Sequence, residues 1–440
     1  MMRFIIIGIS DNPQPFFPPE VLEIIKKGRV FSGGKRHHEM VAPLLPADAT
    51  WIDITVPLAN VFEQYKNISL RLSSKDMEVH KTTAYEGDYS PLYGRGAGGE
   101  ALIVFASGDP LFFGFANTLK REFPEAELML FPSFNSLQML AHRLVLPYHD
   151  LRIVSLTGRP WQEFDKALIE HASKIGVLTD REHTPAAIAR RMLEYGYKDY
   201  AMHVGEHLGN PQKEKVSTLT LQEAVKREFQ MPNCIIFTSS IIEGSSGAER
   251  RAYGIPDTAF TLLNGREKMI TKMPIRLLTL QAIDLPRRHV LWDIGACTGS
   301  VSIEARLLFP HLQIEAFEIR PECETIIQAN VHRFGAPGIG IHIGDFLVSC
   351  DSVAAHSRPD AVFIGGHGGR LKEIMQKVLT LLAPGGVIVM NSVKAPKVAA
   401  DSHRLWDEAC AELGLQQEPP LYIQLNDHHP ITILKCKLPS

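Results

Sequence analysis

The chain has 440 residues, 45% of them hydrophobic and 22% charged, and Lys+Arg of 46 against Asp+Glu of 49 gives a net charge of -3. That length predicts two or three domains at ~150 residues each, and the composition is that of a soluble globular enzyme. Without a basic excess or a polybasic tail, neither a nucleic-acid partner nor a membrane surface is expected. The opening MMRFIIIGIS loses its apolar character at Ser10-Asp11-Asn12-Pro13, too early for a signal peptide. No run reaches the ~18 uncharged apolar residues of a membrane span, and the scattered cysteines read as the reduced thiols of a cytoplasmic protein.

In chain order, Phe4–Ile7 reads as a buried strand closed by Gly8, Val21–Lys27 as a short helix, and Val30–Phe31 as a strand entering the Gly33-Gly34 turn. Ala101–Phe105 is a strand running into Ala106-Ser107-Gly108-Asp109-Pro110, followed by a helix over Phe112–Arg121. Leu128–Phe131 predicts a strand, and Asn135–Leu144 a helix with Leu137, Leu140 and Leu144 on one face. Alternation continues through Arg152–Ser155, Phe164–Ala172, Gly176–Leu178, Pro185–Tyr195, Tyr200–Val204 and Cys234–Phe237, which implies α/β architecture. The Gly/Ser-rich stretch SSIIEGSSGA from Ser239 marks a domain boundary. The expected division is a domain over 1–240, a linker over 241–254 and a second domain over 255–440. There the strands are Val290–Asp293, Ile314–Glu318, Gly340–Ile343, Ala361–Ile364 and Val387–Asn391, with a final pair, Leu421–Leu425 and Thr432–Lys435, around the turn Asn426–Pro430.

The densest signal is VLWDIGACTGSVSIE at 290–304, a strand, a glycine turn and a helix. Such a turn brings backbone N–H groups and a helix N-terminus to a nucleotide-type ligand. A nicotinamide oxidoreductase would need G-x-G-x-x-G. Here Cys297 takes the middle position and Ser300 the last, which disfavours a pyrophosphate. S-adenosylmethionine has no phosphate and needs less clearance. Glu318 at the next strand end suits a ribose diol, and Gly344-Asp345 after the following strand suits an adenine amino group. Glu318 alone fits either ligand; with Asp345 the set favours S-adenosylmethionine.

The segments ITKMPIR at 270–276, WDIGACTGSVSIEA at 292–305, PDAVFIGG at 359–366 and LAPGGVIVMNSV at 382–393 resemble the decarboxylating C15-methyltransferases of cobalamin biosynthesis, in that family's order. The resemblance covers nearly the whole second half and implies a Rossmann-like S-adenosylmethionine-dependent fold. It places Thr271 and the loop Gly295, Ala296, Cys297, Thr298 and Gly299 at the methionine end of the cofactor, Glu318 on the ribose and Asp345 near the adenine. The family has glycine at the position of Cys297, and the thiol departs from it.

In the first half, SGGKRH at 32–37, SGDPLFFG at 107–114, PSFNSLQ at 132–138, VSLTGRP at 154–160 and HVGEHLG at 203–209 resemble the tetrapyrrole methyltransferases, most closely their cobalamin C5 branch. This implies a different fold, two small α/β subdomains with S-adenosylmethionine in the cleft between them. Gly8, Gly108 and Asp109 would lie at that cofactor, with Phe112, Ser133, Ser136 and Gly205 as wall residues. The loop Gly8-Ile-Ser10-Asp11-Asn12-Pro13 departs from the family's glycine-rich turn.

The two halves together resemble bifunctional precorrin C5,15-methyltransferases (decarboxylating). The resemblance implies one S-adenosylmethionine per domain and methylation of a precorrin or cobalt-precorrin macrocycle at C5 and C15. It also implies loss of CO2 from the ring C acetate and a homo-oligomer. Arg36, Arg159 and Arg276 sit inside matched motifs and are the candidates for the substrate's carboxylates. No metal site is expected: the pairs His37-His38 and His428-His429 point apart, and cysteines 234, 297, 323, 350, 410 and 436 contain no C-x-x-C. The rival reading is a non-catalytic S-adenosylmethionine or tetrapyrrole sensor, which needs only one ligand site.

Overall fold

The computed structural model describes residues 2–79, 101–239, 254–393, 402–425 and 430–438. The expected linker 241–254, save Gly254, and the His428-His429 pair lie outside these residues. Two compact units form: one from Met1–Thr157, Lys174–Ala186 and Ala201–Thr238, the other from Gly158–Ser173, Ala187–Tyr200 and Ser239–Ser440. Among the described residues no helix is long and apolar enough to cross a membrane.

The first unit holds two five-stranded sheets. In one, β1 (Arg3–Ile9), β2 (Val30–Gly33), β3 (Thr50–Asp53), β4 (Leu102–Ser107) and β5 (Glu127–Phe131) lie in the order β3-β2-β4-β1-β5. All its pairings are parallel. The inner strand β1 reads RFIIIGI because a parallel strand is covered on both faces. The other sheet takes β6 (Arg152–Ser155), β7 (Lys174–Leu178), β8 (Tyr200–Glu206), β9 (Lys215–Leu219) and β10 (Asn233–Ser239) in the order β6-β7-β10-β8-β9. Here β6 and β7 are parallel, while β7–β10 and β8–β9 are antiparallel.

The second unit carries an eight-stranded sheet. Its strands are β11 (Val290–Ile294), β12 (Gln313–Glu318), β13 (Ile339–Ile343), β14 (Ala361–Ile364), β15 (Val387–Val393), β16 (Gln416–Gln417), β17 (Leu421–Ile423) and β18 (Ile431–Lys437). The order is β13-β12-β11-β14-β15-β18-β16, with β17 on β18. Five strands are parallel and β18 runs antiparallel to β15. The chain turns to opposite sides of β11 for β12 and β14, so a topological switch point lies at its C-terminal end, where ligands of open α/β sheets bind.

The expected elements appear with shifted ends. The helix expected from Phe112 starts at Phe115, because Phe113 takes φ 53° and Gly114 caps the helix. The one expected from Asn135 starts at Ser136: the Asn135 side chain accepts the Gln138 N–H at 2.9 Å and so caps it. The helix Gln162–Ile169 stops short of Ala172, as His171 lies at φ 51°. The short β3 and β9 and the polar helix Lys35–Val41 carry no clear apolar period and were not expected from sequence.

Candidate functional site

In the second unit the β11 loop, the end of β12 and the end of β13 converge. The N–H groups of Gly295 and Ala296 donate to the Phe317 carbonyl at 2.8 and 3.0 Å, and the Gly344 N–H to the Glu318 carbonyl at 2.9 Å. The Cys297 N–H donates to Glu318 Oε2 at 2.8 Å. Thus Gly295–Gly299, Glu318 and Gly344-Asp345, separate in sequence, form one rim. Ile270 packs in a shared core with Ala296 and Cys297, which sets Thr271 beside it.

Gly295 and Gly299 take φ 80° and 72°, where a side chain is strained. A Cβ on Gly295 would meet the Gly366 nitrogen at 2.6 Å, so this glycine also serves the close approach of the β11 and β14 loops. Cys297 lies at φ 51°. The thiol therefore occupies a left-handed position that a glycine fills without strain.

Asp293 is 1% exposed. Its Oδ2 accepts from Ser302 Oγ at 2.6 Å, while Oδ1 has no partner. Burial pushes its carboxyl up to about 6, against the lowering effect of the Ser302 hydrogen bond. Thr298 Oγ1 is likewise buried without a partner. Two orphaned polar oxygens at the glycine loop suit a cofactor with a charged amino-acid end.

Glu318 is 2% exposed and holds three bonds from Arg320, the backbone N–H to Oε1 at 3.0 Å, Nε to Oε1 at 2.8 Å and NH2 to Oε2 at 2.9 Å. Burial opposes its ionisation, yet the Arg320 bonds win and the carboxyl lies below its ordinary value. Asp345 caps the helix Phe346–Ala354 through the Leu347 N–H and accepts from Arg370 at 2.6 Å. Both acids sit on the rim as acceptors already engaged by arginine. Arg320 and Arg370 carry no motif weight in sequence; for Arg320 the usable signal is a cation two residues past a strand-end acid.

Arg276 stands elsewhere than expected. It is 0% exposed, bonded to Glu304 at 3.0 Å, Asp257 at 3.2 Å, the Thr271 carbonyl at 2.8 Å and the Ile255 carbonyl. A guanidinium so enclosed anchors the helix Met273–Ile283 and is no arm for a substrate. Arg159 is exposed in the loop after β6 and is not among the residues that line the cleft of the first unit.

That cleft, of about 460 Å³, lies between the two sheets of the first unit. Gly108, Phe112, Ser136 and Gly205 line it, as does Arg36. Gly8, Asp109 and Ser133 are not among its lining residues. A Cβ on Gly8 would meet the Gly108 carbonyl oxygen at 2.0 Å and the Ser133 nitrogen at 2.7 Å. Gly8 therefore lets the ends of β1, β4 and β5 close together. The Asp109 side chain accepts the Leu111 N–H at 2.9 Å and shapes the turn.

At one end of the cleft, sequence reasoning named Arg36 but missed its partners. Asp11 pairs with Arg36 through one oxygen and with His207 Nδ1 at 3.0 Å through the other. Arg36 NH2 reaches Ser107 Oγ at 2.9 Å, and His37 Nε2 lies 3.0 Å from the same oxygen. Burial, with Arg36 beside it, lowers His37 to about 4 and keeps it neutral at physiological pH. The available signal was the departure at Ser10-Asp11-Asn12, where an acid stands in place of a glycine-rich turn.

A family model described as Tetrapyrrole (Corrin/Porphyrin) Methylases matches residues 17–225, and one described as Precorrin methyltransferase domain matches residues 264–416. A Precorrin-6Y C(5,15)-methyltransferase (decarboxylating) of Sinorhizobium sp is 29% identical over 391 residues, covering 88% of this chain and 84% of the relative. The Mycobacterium tuberculosis (H37Rv) protein of that name is 28% identical over 308 residues, 69% of this chain and 73% of its own. A cobalt-precorrin-6B C(15)-methyltransferase (decarboxylating) of Salmonella typhi is 34% identical over 184 residues, 40% of this chain and 92% of that protein.

Proposed function

The chain belongs to the decarboxylating precorrin C(5,15)-methyltransferase family, and from that premise we propose that it methylates a precorrin or cobalt-precorrin macrocycle at C5 and C15 and removes CO2 from the ring C acetate. Residues 1–240 are proposed to carry the C5 step and residues 255–440 the C15 step, joined by 241–254. The observation that supports this reading is a pair of unlike candidate sites, each built within one unit: the cleft between two sheets and the glycine rim at a switch point. A sensor needs only one. We extend the proposal to a homo-oligomer, on the strength of the resemblance, and to a cytoplasmic location, on the reading of the cysteines as reduced thiols.

S-adenosylmethionine, when bound, supplies an electrophilic methyl group. In the second unit Thr271, Gly295–Gly299, Glu318 and Asp345 are proposed to hold it, with the orphaned Asp293 Oδ1 and Thr298 Oγ1 as acceptors near its charged end. In the first unit Gly108, Phe112, Ser136 and Gly205 are its proposed walls, with Gly8, Asp109 and Ser133 fixing the loops behind them. The meso carbons of an electron-rich tetrapyrrole are nucleophiles, so the residues act chiefly by alignment. Loss of CO2 leaves an electron pair that the conjugated ring accepts.

The test incubates the chain with labelled S-adenosylmethionine and a precorrin-6Y preparation. Two labelled methyl groups and one CO2 per macrocycle are expected. Recovery of unmethylated macrocycle with its carboxylate retained overturns the reading.

A further inference from the structure

The cluster at the end of the first unit's cleft is a hydrogen-bonding device with a donor to spare. The Gly34 N–H donates to His37 Nδ1 at 3.4 Å, which leaves the ring proton of a neutral His37 on Nε2. A protonated Nε2 then faces Ser107 Oγ at 3.0 Å with the Phe105 carbonyl as its other acceptor, and Arg36 NH2 donates to the same Ser107 oxygen at 2.9 Å. A hydroxyl oxygen has two acceptor positions and one proton. Neither a protonated Nε2 nor a guanidinium can accept, so the Ser107 proton is left for another acceptor. Ser107 is exposed and lines the cleft, so its proton is directed to whatever binds there.

Arg36 is steered from the opposite side. Asp11 holds its NH1 and is itself held by His207, which follows β8 in the other sheet. The Arg36 side chain remains 39% exposed. The Asp11 charge offsets that of Arg36, so the subsite selects by pointed donors more than by net charge. The same cleft carries exposed aromatic surface, Phe113 at 46% and Phe134 at 58%. Apolar wall beside paired N–H and O–H donors matches a flat conjugated ring with carboxylate side chains at its edge.

Resting on the proposed C5 activity of this unit, we propose that Ser107 and Arg36 form a subsite for one peripheral carboxylate of the macrocycle. In it Ser107 Oγ–H is a specificity-determining donor, and His37 and Asp11 are the positioning residues. The occupied carboxylate fixes which edge of the ring faces the methyl donor.

The test compares wild type with Ser107→Ala and Ser107→Thr, the latter keeping a hydroxyl. Macrocycle binding is read from its visible absorption, S-adenosylhomocysteine binding by calorimetry, and KM and kcat from the C5 product. Ser107→Ala should raise both Kd and KM for the macrocycle about tenfold, the loss of one hydrogen bond to a charged acceptor. Its kcat should change far less, and S-adenosylhomocysteine affinity should hold. Ser107→Thr should stay close to wild type, and Arg36→Gln should weaken the macrocycle at least as much as Ser107→Ala. The subsite is overturned if Ser107→Ala binds the macrocycle as wild type does, if Ala and Thr weaken it equally, or if S-adenosylhomocysteine affinity falls in parallel. A wild-type chain that binds S-adenosylhomocysteine but not the macrocycle instead overturns the proposed function itself.

Discussion

At the residue scale, Asp293 combines a motif position with an unfavourable environment. Its folded value of about 6 lies above the ordinary 3.8 because burial disfavours the charge. The folded state therefore binds the proton more tightly. The associated stability is present below about pH 4 and is lost as pH rises through 6. At 1.36 kcal/mol per unit, the ionised form costs roughly 2 to 3 kcal/mol at neutral pH. Asp293→Asn keeps an acceptor for Ser302 and should lack that slope. The variant should gain stability relative to wild type by about that amount between pH 4 and pH 7, read as the difference in urea unfolding free energy. Parallel curves would mean the carboxylate is solvated or paired in the free chain.

At the scale of elements, the motif residues divide into those that face the site and those that hold helices to the sheet. Ser302 and Glu304, on the helix Ser300–Leu308, reach Asp293 and Arg276 respectively. The segments ITKMPIR and SVSIEA are thus tied through one buried ion pair. Removing one partner of such a pair leaves an uncompensated charge and costs ~3–5 kcal/mol. Arg276→Met should accordingly lower the unfolding free energy of the second unit by about that amount. If it instead leaves stability intact and raises only KM for the macrocycle, Arg276 is a substrate arm after all. Sequence could name both motifs, but not that a cation in one closes on an acid 28 residues later in the other. That pairing needs the helices Met273–Ile283 and Ser300–Leu308 packed in three dimensions.

At the scale of the molecule, the cleft residues all belong to the first unit and the glycine rim to the second. Separate sites should fail separately. Gly108 takes φ 63° with Asn135 Cα 3.1 Å from a would-be Cβ, and Gly295 takes φ 80° against Gly366. Gly108→Val should cut C5 methylation at least about a hundredfold, as misplacement by an ångström does, and spare C15 methylation of a macrocycle already methylated at C5. Gly295→Val should do the reverse. The check is the methyl count and position in the isolated product, and loss of both activities from either change would mean the sites do not work independently.

The amino-acid sequence by itself determined the strand-and-helix alternation, the two segments with different motif sets, and the glycine turn after Val290–Asp293. These are local properties: apolar runs, glycine at positive φ, and spacing along a few dozen residues. Tertiary structure alone decided what the polar motif residues touch. It enclosed Arg276, engaged Glu318 with Arg320 and Asp345 with Arg370, and gathered Asp11, Arg36, His37, Ser107 and His207 at one cleft. The physical reason is that a side chain's role depends on its burial and on partners up to 196 residues away. Local pattern carries no record of either.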